Sequence, residues 1–260
     1  MIELSRRQLP GYSGWFPRAT AGPTALAEHV LTATGRLWAD RADRPRAIAV
    51  ACAGHVLLRG NPDALDPTAL TPLSGHYVLA PSRFLPVLGS AFDRVVPWER
   101  MVYVQREQPT APRPPRGVIV RRITASDTRR LAALGADAAW IHASWGGPGE
   151  LAASGCAWGA FDKGRLLAIA CTYFRGSRYE DIAVVTAPDH RRRHLALSCV
   201  LALGADAAAR GRTASWTCSR YNRASRLLAW HAGFRLEREY VHYATGAAAP
   251  HGVTGLRVPV

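Results

Sequence analysis

The chain has 260 residues, of which 48% are hydrophobic and 20% charged, a composition that excludes a disordered protein and fits one large or two small globular domains. The formal net charge of +14 comes almost entirely from arginine, because Lys163 is the single lysine. Arginine pairs well with phosphate, so the charge favours a phosphate-bearing ligand, although arginine-rich usage is also typical of a GC-rich genome.

The cysteines and the apolar runs exclude several other classes. No two cysteines stand in a Cys-x-x-Cys pair, which argues against a zinc site and against a disulfide framework. The first fifteen residues lack the apolar segment of a signal peptide, and no apolar run approaches the ~20 residues that span a bilayer. We therefore expect a cytoplasmic protein without membrane attachment. The five cysteines are Cys52, Cys156, Cys171, Cys199 and Cys218.

A proline-rich segment, residues 109–116, predicts the domain organisation. Its four prolines fit neither a helix nor a central strand, so it reads as an extended linker. Residues 1–108 are then a smaller, non-catalytic α/β domain, 117–246 the catalytic domain and 247–260 a loose tail. In the first domain, Gly22-Pro23-Thr24 opens a helix to about Ala39. Strands at 47–52, 55–59, 76–80 and 100–105 and a helix at 83–92 follow.

The second domain reads as helices around a set of neighbouring strands, an α+β pattern. A strand at 117–123 precedes a helix with Ser126 as its N-cap, which runs to about His142. A glycine-rich loop (145–149) and a short helix come next. The remaining elements are strands at 157–162, 166–174 and 181–186, a helix at about 192–210, a strand at 213–218, a helix at 222–231 and a strand at 234–243.

The clearest functional signal follows the strand 181–186. Arg191-Arg192-Arg193 stand where the long helix begins, and the first N–H groups of a helix lack partners within it. The helix macrodipole adds partial positive charge at the same place, so these features predict a phosphate-binding site.

Two motifs in order resemble the GNAT acetyltransferase superfamily. Arg191-x-x-His194-x-Ala196 is similar to its acyl-CoA signature, Gln/Arg-x-x-Gly-x-Gly/Ala, and Asn222-x-x-Ser225-x-x-Leu228, ending in Gly233-Phe234, is similar to its second landmark. The resemblance is strong from Gly117 to Tyr243 and implies a GNAT fold, with a mixed central sheet flanked by helices, preceded by a half-GNAT-like α/β domain.

The resemblance implies an N-acetyltransferase that transfers an acetyl group directly from acetyl-CoA to a primary amine. The pantetheine arm would lie between two neighbouring parallel strands that splay apart, 181–186 and 213–218, and the pyrophosphate at the start of the long helix. Asn222 and Ser225 would lie near the thioester sulfur and the adenosine side. The remaining cofactor-binding residues would be Val184, Val185, Thr186, Arg191, Arg192, Arg193, His194, Leu195 and Ala196.

Two positions depart from the family pattern. His194 stands at the usual glycine; it is either a tolerated helix-start residue with a negative φ, a phosphate ligand through its imidazole, or a sign that cofactor binding is lost. Ala229 stands where many relatives carry the tyrosine that protonates the leaving thiolate. A thiol pKa of about 8.5 makes thiolate an acceptable leaving group without that tyrosine.

Candidate catalytic groups begin with two carboxylates at the head of the strand that leads to the cofactor. Because side chains alternate along a strand, one of Glu180 and Asp181 faces the cleft, and register with the family favours Asp181 as general base. A solvated carboxylate is the alternative. His142, His231, Tyr221, Tyr240 and Tyr243 are weaker candidates, and the loop with Trp140 and Trp145 is a candidate substrate gate.

Two other functions stay open. One is a non-catalytic relative that binds nucleic acid or another polyanion, although no recognition helix or ribonucleoprotein motif supports nucleic-acid binding. The other is the same fold with a longer acyl-CoA or an aminoacyl-tRNA as donor. The acceptor, a small molecule or a peptide amine, and the state of the protein, monomer or homodimer, are not fixed by the sequence. No metal is expected.

Overall fold

The computed structural model describes residues 1–246 and divides them into two compact units. The N-terminal unit comprises Met1–Pro17, Leu26–Arg100 and the chain from Glu239; the C-terminal unit comprises Arg18–Ala25 and Met101–Arg238. The predicted tail, 247–260, lies outside the described residues. Within residues 1–246, no helix is both long and apolar enough to cross a bilayer.

These units differ from the predicted boundary at the proline-rich segment. Residues 107–115 do lack helix and strand, as expected of a linker. However, strand β6 (Val95–Gln105) and strand β12 (Phe234–Thr245) each contribute residues to both units. The two units thus divide the chain within these strands, at Arg100 and Arg238. The domain boundary at residues 109–116 stays a prediction.

The N-terminal unit is built on a mixed sheet. Strands β1 (Ile2–Leu4), β2 (Arg36–Ala39), β3 (Ala47–Cys52) and β4 (His55–Gly60) pair as successive antiparallel neighbours. Strand β5 (Tyr77–Leu79) is parallel to β4, and Tyr243 and Ala244 of β12 pair antiparallel with β5. One core lies against this sheet, with Phe84 and Leu88 among its buried side chains. The elements are β1 (Ile2–Leu4), α1 (Leu26–Thr32), β2 (Arg36–Ala39), β3 (Ala47–Cys52), β4 (His55–Gly60), β5 (Tyr77–Leu79) and α2 (Leu85–Ala91), with 3-10 helices at Arg6–Trp15, Pro23–Ala25, Pro62–Ala64, Pro67–Leu73 and Ser82–Phe84, of which Pro23–Ala25 belongs to the C-terminal unit.

The predicted helix from Gly22 to Ala39 is wrong in its second half. Helix α1 ends at Thr32, and β2 follows. Gly35, at φ +154°, lets the chain turn where a Cβ would stand 2.6 Å from the Val30 side chain. Pairing of β2 with both β1 and β3 then outweighs local helix propensity.

The strands of the C-terminal unit follow the order β12, β6, β11 (Thr213–Ser219), β10 (Tyr179–Thr186), β9 (Arg165–Arg175), β8 (Ala157–Asp162) and β7 (Val118–Arg122). Strands β10 and β11 are parallel, whereas β7 to β10 pair antiparallel in succession. Helix α5 packs on β8 to β11, and its Leu195, Cys199 and Leu203 enter the same core as Trp216 and Phe234. The elements are β7 (Val118–Arg122), α3 (Thr128–Ala132), α4 (Pro148–Ala153), β8 (Ala157–Asp162), β9 (Arg165–Arg175), β10 (Tyr179–Thr186), α5 (Leu195–Ala209), β11 (Thr213–Ser219) and α6 (Arg223–His231).

The α+β class and the mixed sheet are confirmed, but the predicted helix from Ser126 to His142 is broken. Thr124 and Asp127 form the capping box, α3 ends at Ala132, and a 3-10 helix runs from Ala136 to Trp145. Gly135, at φ +85°, separates the two helical pieces. A residue with a φ near this value ends a helix, and glycine adopts such a φ at no steric cost.

The turn at Gly233 packs closely against the backbone at Glu107, and a substitution tests this contact. Gly233 has φ +81°, and a Cβ there would lie 2.2 Å from the Glu107 carbonyl oxygen. We expect Gly233→Ala to lower the free energy of unfolding by about 3 kcal/mol, from the left-handed conformation and the steric overlap together.

Gly211→Ala is the matched control, because Gly211 has a similar φ of +72° and no atom within 4 Å of the added Cβ. Its cost should be about 1 kcal/mol in urea denaturation. Equal losses for the two variants would contradict a role for the Glu107 carbonyl.

Candidate active site

Strands β10 and β11 separate before either of them ends. Their parallel register runs from Tyr179 opposite Thr213 to Ile182 opposite Trp216. Beyond that pair, β10 continues through Thr186 while remaining bonded to β9 on its other side. The last four residues of β10, including the predicted contacts Val184, Val185 and Thr186, are half-buried. The geometry leaves a strand edge on which an extended, amide-bearing ligand can pair.

Positive charge collects where the chain passes from β10 to α5. Arg191 and Arg192 are exposed, and Arg193 donates a hydrogen bond to the His190 ring nitrogen at 3.0 Å. The first helical residues, Leu195 and Ala196, contribute backbone N–H groups that have no acceptor one turn earlier in the helix. Guanidinium groups and a helix N-terminus together suit a diphosphate.

His194 adopts the conformation for which glycine is usually selected. His194 is the N-cap of α5 and lies in the left-handed region, with φ +59° and ψ +12°. Arg192, two residues earlier, also has a φ of +59°. The prediction of a negative φ at this position is wrong. Histidine visits this region more readily than most residues, which explains how the chain keeps the turn without glycine. The turn also delays α5, which begins at Leu195 and not near Arg192.

The second motif caps helix α6 and joins it to β11. The Asn222 side-chain oxygen accepts a hydrogen bond from the Ser225 N–H at 3.0 Å, and the Ser225 hydroxyl accepts one from Trp216 Nε1 at 2.9 Å. Ala229 is completely buried in the core shared with Trp216 and Phe234. Position 229 thus supplies packing, and a proton for a leaving thiolate must come from elsewhere.

Asp181 is the centre of a buried polar cluster on β10 and β11. One carboxylate oxygen accepts hydrogen bonds from the Ser215 hydroxyl at 2.9 Å and the Thr217 hydroxyl at 3.0 Å. Ser215 in turn accepts one from the Gly22 N–H at 3.2 Å. Asp181 is 5% exposed. The cluster holds a carboxylate in a fixed orientation within one residue of the point where the two strands part.

Glu180 points to the opposite face of the sheet, where its carboxylate is paired with arginine side chains. Arg210 donates to both of its oxygens at 3.1 and 2.7 Å, and Arg212 donates at 3.0 Å; Thr172 adds a hydroxyl donor. Glu180 is completely buried. Burial opposes its ionisation, but the hydrogen bonds from Arg210 and Thr172 prevail and hold its pKa below the usual value. This environment joins β10 to the end of α5 and argues against proton transfer to substrate.

The weaker candidates are dispersed. Tyr221 is 71% exposed and His231 is also exposed, whereas Tyr240 and Tyr243 belong to the N-terminal unit. His142 is half-buried, and burial lowers its pKa, partly opposed by Glu150. The residues of the proposed gate are packed: Trp145 donates to the Thr172 carbonyl at 2.8 Å, and the Trp140 ring lies 5.9 Å from that of Tyr173.

Sequence reasoning missed Ser215 and Thr217, as well as the arginines around Glu180. Parallel pairing of 181–186 with 213–218 was expected, and a register that sets Asp181 opposite Ser215 places Thr217, two residues on, at the same face. The sequence spacing of Ser215 and Thr217 therefore predicts that both face Asp181, once the register of the two strands is assumed. Arg210 and Arg212 lie some thirty residues from Glu180 in sequence, and no local pattern connects them.

Glu180→Gln tests whether Glu180 stabilises the fold. Removing the charge takes the buried partner from Arg212 and one of two carboxylate partners from Arg210, which keeps Asp206, so we expect a loss of about 3 kcal/mol in the free energy of unfolding near neutral pH, at the lower end of the range for a broken buried ion pair. Because the folded pKa of Glu180 is depressed, its contribution is present above the ordinary carboxyl pKa of 4.5 and is lost as the pH falls further. Urea unfolding of both proteins against pH should show the two curves converging on acidification.

Glu237→Gln is the control for Glu180→Gln. Glu237 pairs with Arg106 at 2.6 Å, but both side chains are about half exposed, so its loss should stay within ~0.5 kcal/mol. A Glu180→Gln protein as stable as the Glu237→Gln protein would refute the structural role of Glu180.

Three comparisons with known proteins bear on this site. Residues 88–243, more than half of the chain, match the family model of the GNAT acetyltransferases. The chain is also 58% identical over 212 residues to an uncharacterized N-acetyltransferase in the mutA 5' region of Streptomyces virginiae, which covers 81% of this chain and 90% of the relative.

Solved structures share the fold at low sequence identity. A GCN5-related N-acetyltransferase-like protein from Streptococcus suis is 17% identical with a TM-score of 0.71, and the match covers 91% of this chain and 98% of that one. A tandem GNAT protein from the clavulanic acid biosynthesis pathway is 13% identical with a TM-score of 0.58, covering 93% and 96%. The chain belongs to the GNAT acetyltransferase family and is an N-acetyltransferase.

Proposed function

We propose that this N-acetyltransferase takes acetyl-CoA as its donor and acetylates a primary amine, of a small molecule or a peptide, by direct transfer. The observation that carries the proposal is the parting of β10 and β11 after Ile182 and Trp216, directly before the arginine-rich N-terminus of α5. The family model and the Streptomyces relative favour this reading over a non-catalytic polyanion-binding protein.

The residues present fit acetyl-CoA in two respects. The free edge of Ala183–Thr186 offers alternating N–H and C=O groups to the amides of a pantetheine arm. Arg191, Arg192 and Arg193, together with the first N–H groups of α5 at His194, Leu195 and Ala196, offer charge and hydrogen-bond donors to a diphosphate. Asn222 and Ser225, at the start of α6, would contribute to the far side of the same cleft.

Acetyl-CoA would supply an activated thioester, whose acetyl carbon accepts the amine nitrogen as the carbon–sulfur bond breaks. The amine must lose a proton, and we assign that proton to Asp181, directly or through water. Ser215 and Thr217 fix one oxygen of this carboxylate. The thiolate takes up a proton from solvent or from the acceptor side, because Ala229 has no ionisable group.

Calorimetric titration of the full chain with acetyl-CoA tests the donor. We expect binding in the micromolar range, weakened about tenfold or more in Arg191→Glu, since a charged hydrogen bond to phosphate contributes roughly 1.5–3 kcal/mol. Arg178→Glu makes the same charge change at the other end of β10, where Arg178 is exposed, and should bind as the parent does. Absence of heat with acetyl-CoA and with longer acyl-CoAs, in a folded protein, would refute the proposal.

His194→Gly tests the turn before α5. Because His194 has φ +59°, we expect its role to be conformational, so that the glycine variant binds acetyl-CoA at least as tightly as the parent. His194→Val, with a β-branched side chain in the left-handed region, should bind about tenfold more weakly. Weaker binding by the glycine variant, measured by the same titration, would show instead that the imidazole contacts the ligand.

Asp181→Asn tests the assigned base. We expect kcat to fall by about 10²-fold or more, in the range of general-base catalysis, with the KM for acetyl-CoA little changed and a flattened acidic limb of the pH–rate profile. Asp162→Asn, at the end of β8, is the matched control and should leave kcat unchanged. A kcat for Asp181→Asn within twofold of the parent, at equal thermal stability, would remove Asp181 from the mechanism.

A further inference from the structure

A short segment near the start of the chain packs beside the candidate base. Residues Arg18–Ala25 precede helix α1, yet they belong to the C-terminal unit. The 3-10 helix Pro23–Ala25 within this segment is buried and contacts β9 and β10. The Arg238 guanidinium donates a hydrogen bond to the Ala21 carbonyl at 3.0 Å. The segment is therefore part of the packed unit that contains Asp181.

The Gly22 N–H determines the direction of the Ser215 hydroxyl. A backbone N–H can only donate, and a serine hydroxyl has one proton and two lone pairs. Ser215 therefore accepts the hydrogen bond from Gly22 at 3.2 Å and directs its own proton to the Asp181 carboxylate at 2.9 Å. A hydroxyl without that N–H would be able to turn its proton toward another acceptor. Gly22, Ser215 and Asp181 thus form a chain of two hydrogen bonds.

The backbone of Gly22 reaches Ser215 because position 22 has no side chain. Gly22 has φ +87°, and a Cβ there would lie 2.9 Å from Val102 Cγ2 and 3.3 Å from the Thr217 hydroxyl oxygen. An alanine would be strained in the left-handed region and would force the segment or its neighbours to shift. Thr217 is the second hydroxyl donor to Asp181, so a side chain at position 22 would disturb both donors.

We propose that Gly22 is a positioning residue for Asp181, acting through the Ser215 hydroxyl, so that the Arg18–Ala25 segment orients the base. This inference rests on the proposed function, in which Asp181 is the general base. Hydrogen bonds to the charged form of a carboxyl group favour that form, so the hydroxyl donors stabilise the carboxylate. A general base also needs a fixed orientation toward the proton that it removes, and the hydrogen bonds from Gly22 onward supply it.

Charged and titratable side chains occur on the elements around this hydrogen-bond chain. Arg18 lies in the segment itself, and Arg238 on β12 is bound to the segment. Asp137 and His142 lie in the 3-10 helix that precedes α4 and contacts β9 and β10, whereas β11 carries no charged residue. The variants below keep all of these groups, so a difference between variants in the titration of Asp181 reports on its hydroxyl donors.

An NMR titration of the aspartate carboxyl carbons tests these donors in the full chain and needs no acceptor substrate. The Asp181 signal is the one that Asp181→Asn removes. We expect Ser215→Ala and Gly22→Ala to move the midpoint of the Asp181 titration upward by about half a pH unit or more, because donors to the charged form are lost or displaced. Gly211→Ala is the control; Gly211 also has a positive φ, of +72°, but an added Cβ meets no atom within 4 Å, so the midpoint should not move.

The Gly22 amide gives a second measurement that leaves Gly22 itself unchanged. In the parent, its NMR signal should move with the same midpoint as the Asp181 carboxyl, because the Ser215 hydroxyl bonds to both groups. Ser215→Ala should abolish this response and accelerate hydrogen exchange of the Gly22 amide about tenfold, because the amide loses its acceptor.

Three outcomes would overturn the inference in different ways. A Gly22 amide signal that does not respond to the ionisation of Asp181 would exclude the chain of hydrogen bonds. A Gly22→Ala protein with a lower Tm and an unchanged Asp181 midpoint would make Gly22 a purely structural residue. Failure of the proposed function is distinguishable from both: Asp181→Asn would keep kcat within twofold of the parent although the Gly22 amide still followed Asp181, which would remove Gly22 from catalysis together with the base.

Discussion

The proposed cofactor site depends on the point at which two parallel strands stop pairing. Up to Ile182 and Trp216 β10 and β11 pair with each other, and beyond that pair β10 continues without β11 as its neighbour. The amides of this half-buried segment need water or a ligand as partner, and a ligand with its own amides can pair along such an edge. In the chain, the N-terminus of α5 with its arginines follows β10, and the capped start of α6 follows β11.

Because side chains alternate along a strand, the adjacent carboxylates of Glu180 and Asp181 lie on opposite faces of β10 and have different partners. Glu180 is held by Arg210 and Arg212, which fixes β10 to the end of α5, the helix whose N-terminus is the proposed phosphate site. Asp181 faces the other way and is held by hydroxyls, which can orient a carboxylate without neutralising it. A charged partner serves stability, and neutral partners leave the carboxylate able to accept a proton.

Much of the C-terminal unit could be predicted because its signals are local. Strand β10, the arginines and the Asn222 cap lie in short segments whose residue types determine their structure, and the motif order identified the family. The left-handed His194 was missed because histidine itself gives no sign of a positive φ, although the glycine of the family pattern at this position is the residue that such a φ favours. The strand β2 within an expected helix depends on pairing with β1 and β3, which local residue types do not reveal.

Hydrogen exchange of the backbone amides, with and without coenzyme A, tests the central claim most directly. If the ligand pairs with the free edge of β10 and its diphosphate binds at the N-terminus of α5, exchange should slow in Ala183–Thr186 and in 194–197, and should stay unchanged in the already paired Tyr179–Ile182. Protection confined to other segments, with these two unaffected, would show that the parting of β10 and β11 is not the cofactor site.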